Sequence, residues 1–479
     1  MDLPHRADSE PLLHGAGASA DPPSLVSVRR DGISAAERAR EREAAAAPRW
    51  TPHLPALFQH ASAALPAAPA PAPPARPALL GGAPPGERVD ALLEDGLAMG
   101  DGYIRGEVCD YLRQDEALEL RAASRTCRGA VAAHAWSELG GDRSRICGHL
   151  SSWRACFPRA RYADISGNRA VADADFVHLR GVRKLLMVNC DQATITDAAF
   201  VHLRGIRCLN MRGCNQAGIT DAAFAHLAGI HTLDMRFCNQ AAITDAAFVH
   251  LRGVHELNIR GCRQASITDA AFAHLRGIHT LDMNGCNQAA ITDAAFAHLR
   301  GIHTLDMSGC YQATITDAAF AHLRGIHTLL MSWCKQATIT DAAISHLRGI
   351  HTLSMRGCDQ ATITDAAFAN LRGIHTLNMS CCDQGTITDA AFVHLAGIHT
   401  LDMGGCSQPT ITDAAFAPLC GIYDISVCFC TQLTEEALPH LVQARARVLR
   451  VHGCGFSAAS LRQLRGVLVL QGHPQHRRG

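Results

Sequence analysis

Between about residue 160 and residue 472 the apolar and polar positions repeat one figure. In a representative unit Ile278, Leu281, Met283 and Cys286 are apolar, and Thr280 and Asp282 interrupt them. The spacing L-x-x-L-x-L-x-x-C predicts a short strand with alternate side chains pointing inward and Thr280 and Asp282 pointing out. Thr292-Asp293 then opens a predicted short helix, in which a side-chain oxygen caps free backbone N–H groups and Ala294, Ala295, Phe296 and Leu299 pack on the core. Gly301 ends that helix where a positive φ is needed.

Cysteines mark the period. They fall every 24 residues from Cys190 to Cys430, and Cys454 extends the series. A fixed period of this length predicts a solenoid in which each unit packs only on its neighbours, its strands lining one curved parallel sheet. Twelve such units would give an inner face about 55 Å long, which is a binding surface and not a pocket. Arg161 to Asn168 form a degenerate first unit whose interval to Phe176 is shorter than later ones. At the other end Leu461 and Leu464 keep a helix and Val467 to Leu470 a strand, without the cysteine. Both ends therefore read as caps.

Outside the repeats the composition changes. Residues 1–88 are rich in Ala, Pro, Gly, Ser and Arg, culminating in Pro66 to Pro77, and offer too little large apolar surface to offset ordering entropy. Disorder is expected there. Residues 89–141 show helical spacing of Leu92, Leu93, Leu97, Ile104, Val108, Leu112, Leu118, Leu120 and Trp136, predicting two or three short helices. A connector at 142–159 carries Trp153 and Phe157, the solenoid occupies 160–472, and 473–479 form a tail.

Charge narrows the partners. Lys plus Arg and Asp plus Glu each total 44, so no overall field favours nucleic acid or an anionic membrane. Without a run of 18 apolar residues, and with Asp2, Asp8 and Glu10 where a secretory leader needs basic and then apolar residues, a soluble intracellular protein is expected. Of the 20 cysteines, twelve share one slot of the repeat, which is a packing pattern; reduced, buried thiols are expected.

Two resemblances attach to these residues. The unit, with its Ile-Thr-Asp step after the cysteine, resembles the cysteine-containing leucine-rich repeats. This implies an α/β solenoid: a leucine-rich-repeat horseshoe with a parallel sheet inside and short helices outside. The segment from Met99 through Tyr111-Leu112, Glu116 to Leu120, Ser124-Arg125 and Trp136 resembles an F-box motif, with Met99-Gly100 in place of the family's Leu-Pro pair. The two together resemble the F-box/leucine-rich-repeat substrate receptors. That resemblance implies that Ile104, Val108, Tyr111, Leu112, Leu118 and Leu120 meet a Skp-type adaptor, that the adaptor links to a cullin, and that the repeats hold a protein substrate for ubiquitination. The alternative is an interaction scaffold whose F-box-like helices merely cap the solenoid, with Ile104, Val108 and Leu112 packed against Trp153, Phe157 and the first repeat.

Catalytic, cofactor and metal sites are not expected. There is no P-loop, nucleophile elbow, kinase signature or His-Glu-x-x-His motif, and Cys382-Asp383 is simply the repeat register. Two histidine rows, one on the helices from His226 to His346 and one before the strands from His231 to His399, follow from copying a unit. Residues that break the copying carry more information: Arg212, Phe237, Arg260, Arg263, Tyr311, Leu330, Trp333, Lys335 and Arg356 on and beside the inner face. Aromatics and arginines supply most of the energy at protein interfaces. Phe237 and Trp333 stand out because each replaces a glycine.

Overall fold

The computed structural model describes residues 109, 112, 114–123, 125–136, 145–462, 464 and 468–470. Expectations for 1–88, for the tail and for Ile104, Val108, Tyr111 and Val467 lie outside those residues. Fourteen three-residue strands, from Tyr162–Asp164 to Leu468–Leu470, form one parallel sheet in strict sequence order among the described residues. Interior strands pair at the repeat period, as Thr280 with Thr304 and Leu281 with Leu305. The shorter steps are at the ends, where Tyr162 pairs with Lys184 and Val448 with Leu468.

Each unit closes by the same few bonds. Phe296, Leu299, Ile302, Leu305, Met307 and Cys310 are all buried, and each large side chain stabilises the array by about 1.5–3 kcal/mol. The Cys310 thiol donates to the Met283 carbonyl of the preceding unit at 3.4 Å, so the cysteine slot is filled by a small apolar group with one donor. Thr292 caps its helix as expected, its Oγ1 accepting from Ala294 N at 3.2 Å. It also joins units: the Asp269 carboxylate of the preceding helix accepts from Thr292 N at 2.7 Å and from its hydroxyl at 2.6 Å. Gly301 has φ +81°, ending the helix as its sequence position requires.

The inner face differs from expectation. Thr280 and Asp282 point away from the core, yet they are only 3% and 8% exposed. At strand spacing the side chains of adjacent units shield one another: Asn258 Nδ2 donates to Asp282 Oδ2 at 2.9 Å, one strand away.

Among the described residues three helices precede the first strand, α1 (Gln114–Ala123), α2 (Arg125–Ala133) and α3 (Leu150–Cys156), the last within the expected connector. Helices this short are marginal alone, so their apolar sides must be buried on something. Trp136 is 1% exposed, meets Phe157 edge-on at 5.5 Å and donates from Nε1 to Val131 O at 2.9 Å. Its carbonyl accepts from Arg161 N at 2.9 Å and Tyr162 N at 3.0 Å. In every interior unit that place belongs to the residue before the strand, as His279 O accepts from His303 N and Thr304 N. Trp136 thus stands in for a missing first unit. Arg121 Nη1 to Cys156 O at 3.0 Å and Arg159 Nη1 to Ala133 O at 3.0 Å tie the helices to this cap.

The cap takes in part of the expected adaptor surface. Leu112 and Leu120, each 2% exposed, belong to the same apolar core as Trp136, Trp153 and Phe157, whereas Leu118 is 48% exposed. Among the described residues no helix is long and apolar enough to cross a membrane.

Candidate functional site

The site is built from the turn that follows each strand. In the unit Met307-Ser308-Gly309-Cys310 the residue before the cysteine has φ +68°, and glycine takes this slot in most units. A side chain there costs about 1–2 kcal/mol, since its Cβ crowds the backbone. Five described units nevertheless carry one: Asn189, Phe237, Trp333, Cys381 and Phe429, at φ 55–63°. Strain of this kind persists where the surroundings impose it and gathers at functional positions.

Each large side chain in the slot lies over the glycine of the next unit. A Cβ built on Gly261 would meet Phe237 Cδ1 at 2.5 Å, one on Gly357 would meet Trp333 Cε3 at 2.5 Å, and one on Gly453 would meet Phe429 Cδ1 at 2.5 Å. A ring in one unit therefore demands glycine in the next. The rings stay accessible, with Phe237 at 41% and Phe429 at 39% exposure.

Cations gather on them. The Arg212 guanidinium lies 5.7 Å from the Phe237 ring centre, and Lys335 Nζ and the Arg356 guanidinium lie 5.2 Å and 5.9 Å from that of Trp333. Lys335 also pairs with Asp359 at 2.9 Å. The structure thus brings Trp333, Lys335 and Arg356 into one cluster and Arg212 and Phe237 into another. Arg260 sits near enough to favour ionisation of the buried Asp282 and Asp306. Arg263 and Tyr311 are exposed on the residue after the cysteine, in the row of Lys335. Leu330 does not join this surface: at 7% exposure it takes the strand position of Asp306, shielded by its neighbours like the rest of the inner face. Phe429 escaped the sequence reading, although its place before Cys430 matches that of Phe237 before Cys238.

The remaining ladders are structural in form. Burial pushes the thiols of Cys238 and Cys334 up to about 12, so they are held protonated. From His231 to His399 eight imidazoles stack face to face at 4.4–4.7 Å, continued by Tyr423. Their nitrogens run along parallel lines and do not converge on a point; His303 Nδ1, for example, is 3.1 Å from Thr304 Oγ1. On the helices Arg300 Nε donates to His322 Nδ1 of the next unit at 3.3 Å. Asp282 and Asp306 stand on adjacent strands, and burial together with the Asp306 charge pushes Asp282 up to about 7.

No protein-family model matches the chain, and no curated protein matches it in sequence. Among solved structures the chain is similar to a chain of the Toll–Spatzle complex of Drosophila, at 13% identity and a TM-score of 0.52 over 68% of this chain and 49% of that one. It therefore spans about half of that chain's length. Lower scores relate it to the Rad7 and Elc1 complex of yeast, with 17% identity, a TM-score of 0.43, and 64% and 86% coverage. An internalin (InlF) of Listeria monocytogenes gives 17% identity, a TM-score of 0.49, and 72% and 95% coverage. The fold is a leucine-rich-repeat solenoid.

Proposed function

We propose that this chain is a protein-interaction scaffold that holds a protein partner along the rim formed by the turns after the strands. The observation that carries this reading is the set of aromatics in the positive-φ slot, Phe237 and Phe429 exposed and Trp333 half-buried, where a copied glycine would cost nothing. Packing within the array does not call for them, whereas a partner gains rigid apolar area there. The Toll–Spatzle structure is of a complex between proteins, and what the two chains share is the fold.

The finer reading is a substrate receptor that joins a Skp-type adaptor and a cullin. It rests on the F-box-like motif from Met99 to Trp136. Of its six expected contacts, Leu118 is open, Leu112 and Leu120 are buried in the cap, and Ile104, Val108 and Tyr111 lie outside the described residues. Burial of those two leucines favours the scaffold, in which the helices serve the solenoid.

Cross-linking of the immobilised full chain in eukaryotic lysate, with mapping of the linked residues, separates the readings. A protein linked along 212–356 and lost with Trp333→Gly supports the scaffold. An adaptor linked near Leu118, recovered with cullin and lost with Leu118→Asp, supports the receptor. Recovery of no partner at a stoichiometric level removes both.

A further inference from the structure

We propose that the rim receives an extended acidic segment of a partner protein, anchored by apolar side chains on the posts Phe237, Trp333 and Phe429; this rests on the scaffold reading above. The posts fall 96 residues apart, or four units of 24. At about 4.8 Å per unit that is about 19 Å, which an extended chain covers in about six residues. An elongated peptide running across the strand ends can therefore touch one post about every sixth residue.

Charge selects an acidic segment. Beside the first two posts stand Arg212 and then Arg356, and Arg263 is exposed on the residue after the next cysteine; none of the three has a carboxylate within ion-pair distance among the described residues. The Arg356 Nε is buried and without a hydrogen-bond partner, so that side chain still has a donor to place. Carboxylates on the same row are already engaged. Asp191 faces Arg169 at 4.0 Å, Asp359 holds Lys335, and Asp383 accepts from the Ser407 N–H at 2.8 Å and its hydroxyl at 3.3 Å. Each of these carboxylates thus already faces a donor of this chain, whereas the arginines beside the posts face no carboxylate at ion-pair distance among the described residues. At the third post His452 meets Phe429 edge-on at 5.1 Å.

A post held at positive φ also makes an unusual prediction. A ring that serves the fold would destabilise the array when removed, but a ring kept for binding is replaced by glycine at no loss of stability. The test is fluorescence anisotropy with the full chain and a labelled peptide of about 14 residues, Leu at every sixth position and Glu elsewhere. A Lys counterpart, a Glu peptide of about five residues and single-stranded DNA of similar charge serve as comparisons. The Glu peptide should bind, weaken with added salt, and lose about tenfold or more in affinity with Phe237→Gly or Trp333→Gly, while the unfolding midpoint of each variant stays level or rises. The short peptide should bind more weakly, because it reaches one post.

Equal binding by the Lys peptide or the DNA, unchanged affinity in both glycine variants, or lowered midpoints in both would overturn the proposal. So would failure of the Glu peptide to bind the wild-type chain. In that event the scaffold reading is judged separately, by whether a cross-linked protein is recovered along the rim.

Discussion

The Trp333 ring covers the α-carbon of Gly357 one unit on, leaving no room for a side chain there: ring atoms lie 2.5–2.8 Å from where a Cβ would sit. Gly357 itself has φ +65°. Two costs therefore meet at one residue.

Gly357→Ala should destabilise the chain by about 2–4 kcal/mol, combining the backbone cost with the overlap. Gly285→Ala has the backbone cost alone, since φ is +70° and no atom lies within 4 Å of a built Cβ, and should lose about 1 kcal/mol. In a Trp333→Gly background the Gly357→Ala cost should drop toward the Gly285 value. Denaturant unfolding of the four variants forms the cycle, and additive losses would show that the ring is not what excludes a side chain.

Thr292 is both a helix cap and the partner of Asp269. Thr292→Ala should cost about 1–2 kcal/mol, and Thr292→Ser, which keeps the oxygen, less than about 0.5 kcal/mol. The midpoints of urea unfolding distinguish them. Equal losses would mean that the methyl, not the oxygen, matters.

Asp282, pushed up to about 7 against an ordinary 3.8, keeps a proton in the folded state over a range where the unfolded chain has released it. Stability from this group is therefore greatest below about pH 4 and declines as pH rises to about 7, with no further change above. Asn258 and Asn378 occupy the same slot in other units and cannot titrate. Asp282→Asn should thus stabilise the chain at pH 8, by on the order of 1–3 kcal/mol, and much less at pH 4. A gain that is the same at both values would remove burial of the charge as the cause.

The stacked histidines act in the opposite direction. Burial and neighbouring rings lower His279, His327, His351 and His375 from 6.5, so the unfolded chain takes up protons first and stability falls as pH drops below about 6.5. His351→Gln removes one titrating ring from the stack. Its unfolding midpoint should fall less than that of the wild type between pH 7 and pH 5, and a parallel decline would exclude the ladder as a source of acid sensitivity.

Thiol labelling should divide the cysteines sharply. Cys147 and Cys420 are exposed, whereas Cys214 to Cys430 in the ladder are buried and held protonated. A thiol reagent at pH 8 should modify the first two rapidly and the ladder only on unfolding. Early modification of Cys310 or Cys334, read by mass spectrometry, would mean that the units open locally.

Much of the architecture was legible because each rule operates within one unit. The strand Thr280–Asp282, the Thr292 cap and the turn at Gly301 each follow from residues a few positions apart. The candidate site was legible only in part. Trp333, Lys335 and Arg356 do meet, and the glycine slot pointed to Trp333 and Phe237. Leu330, Leu112 and Leu120 proved buried, because what covers them comes from other units or helices.

By itself, the amino-acid sequence determined the period, the order of strand, turn and helix, and the buried slot of the cysteines. Local hydrogen bonding and alternation of side chains suffice for these. Tertiary structure alone decided that the Trp333 ring lies on Gly357 beneath Arg356, that Asp282 is shielded beside Asp306, and that Trp136 takes the place of a first unit. These depend on how one unit sets over the next, where distances of a few ångströms separate residues more than twenty positions apart.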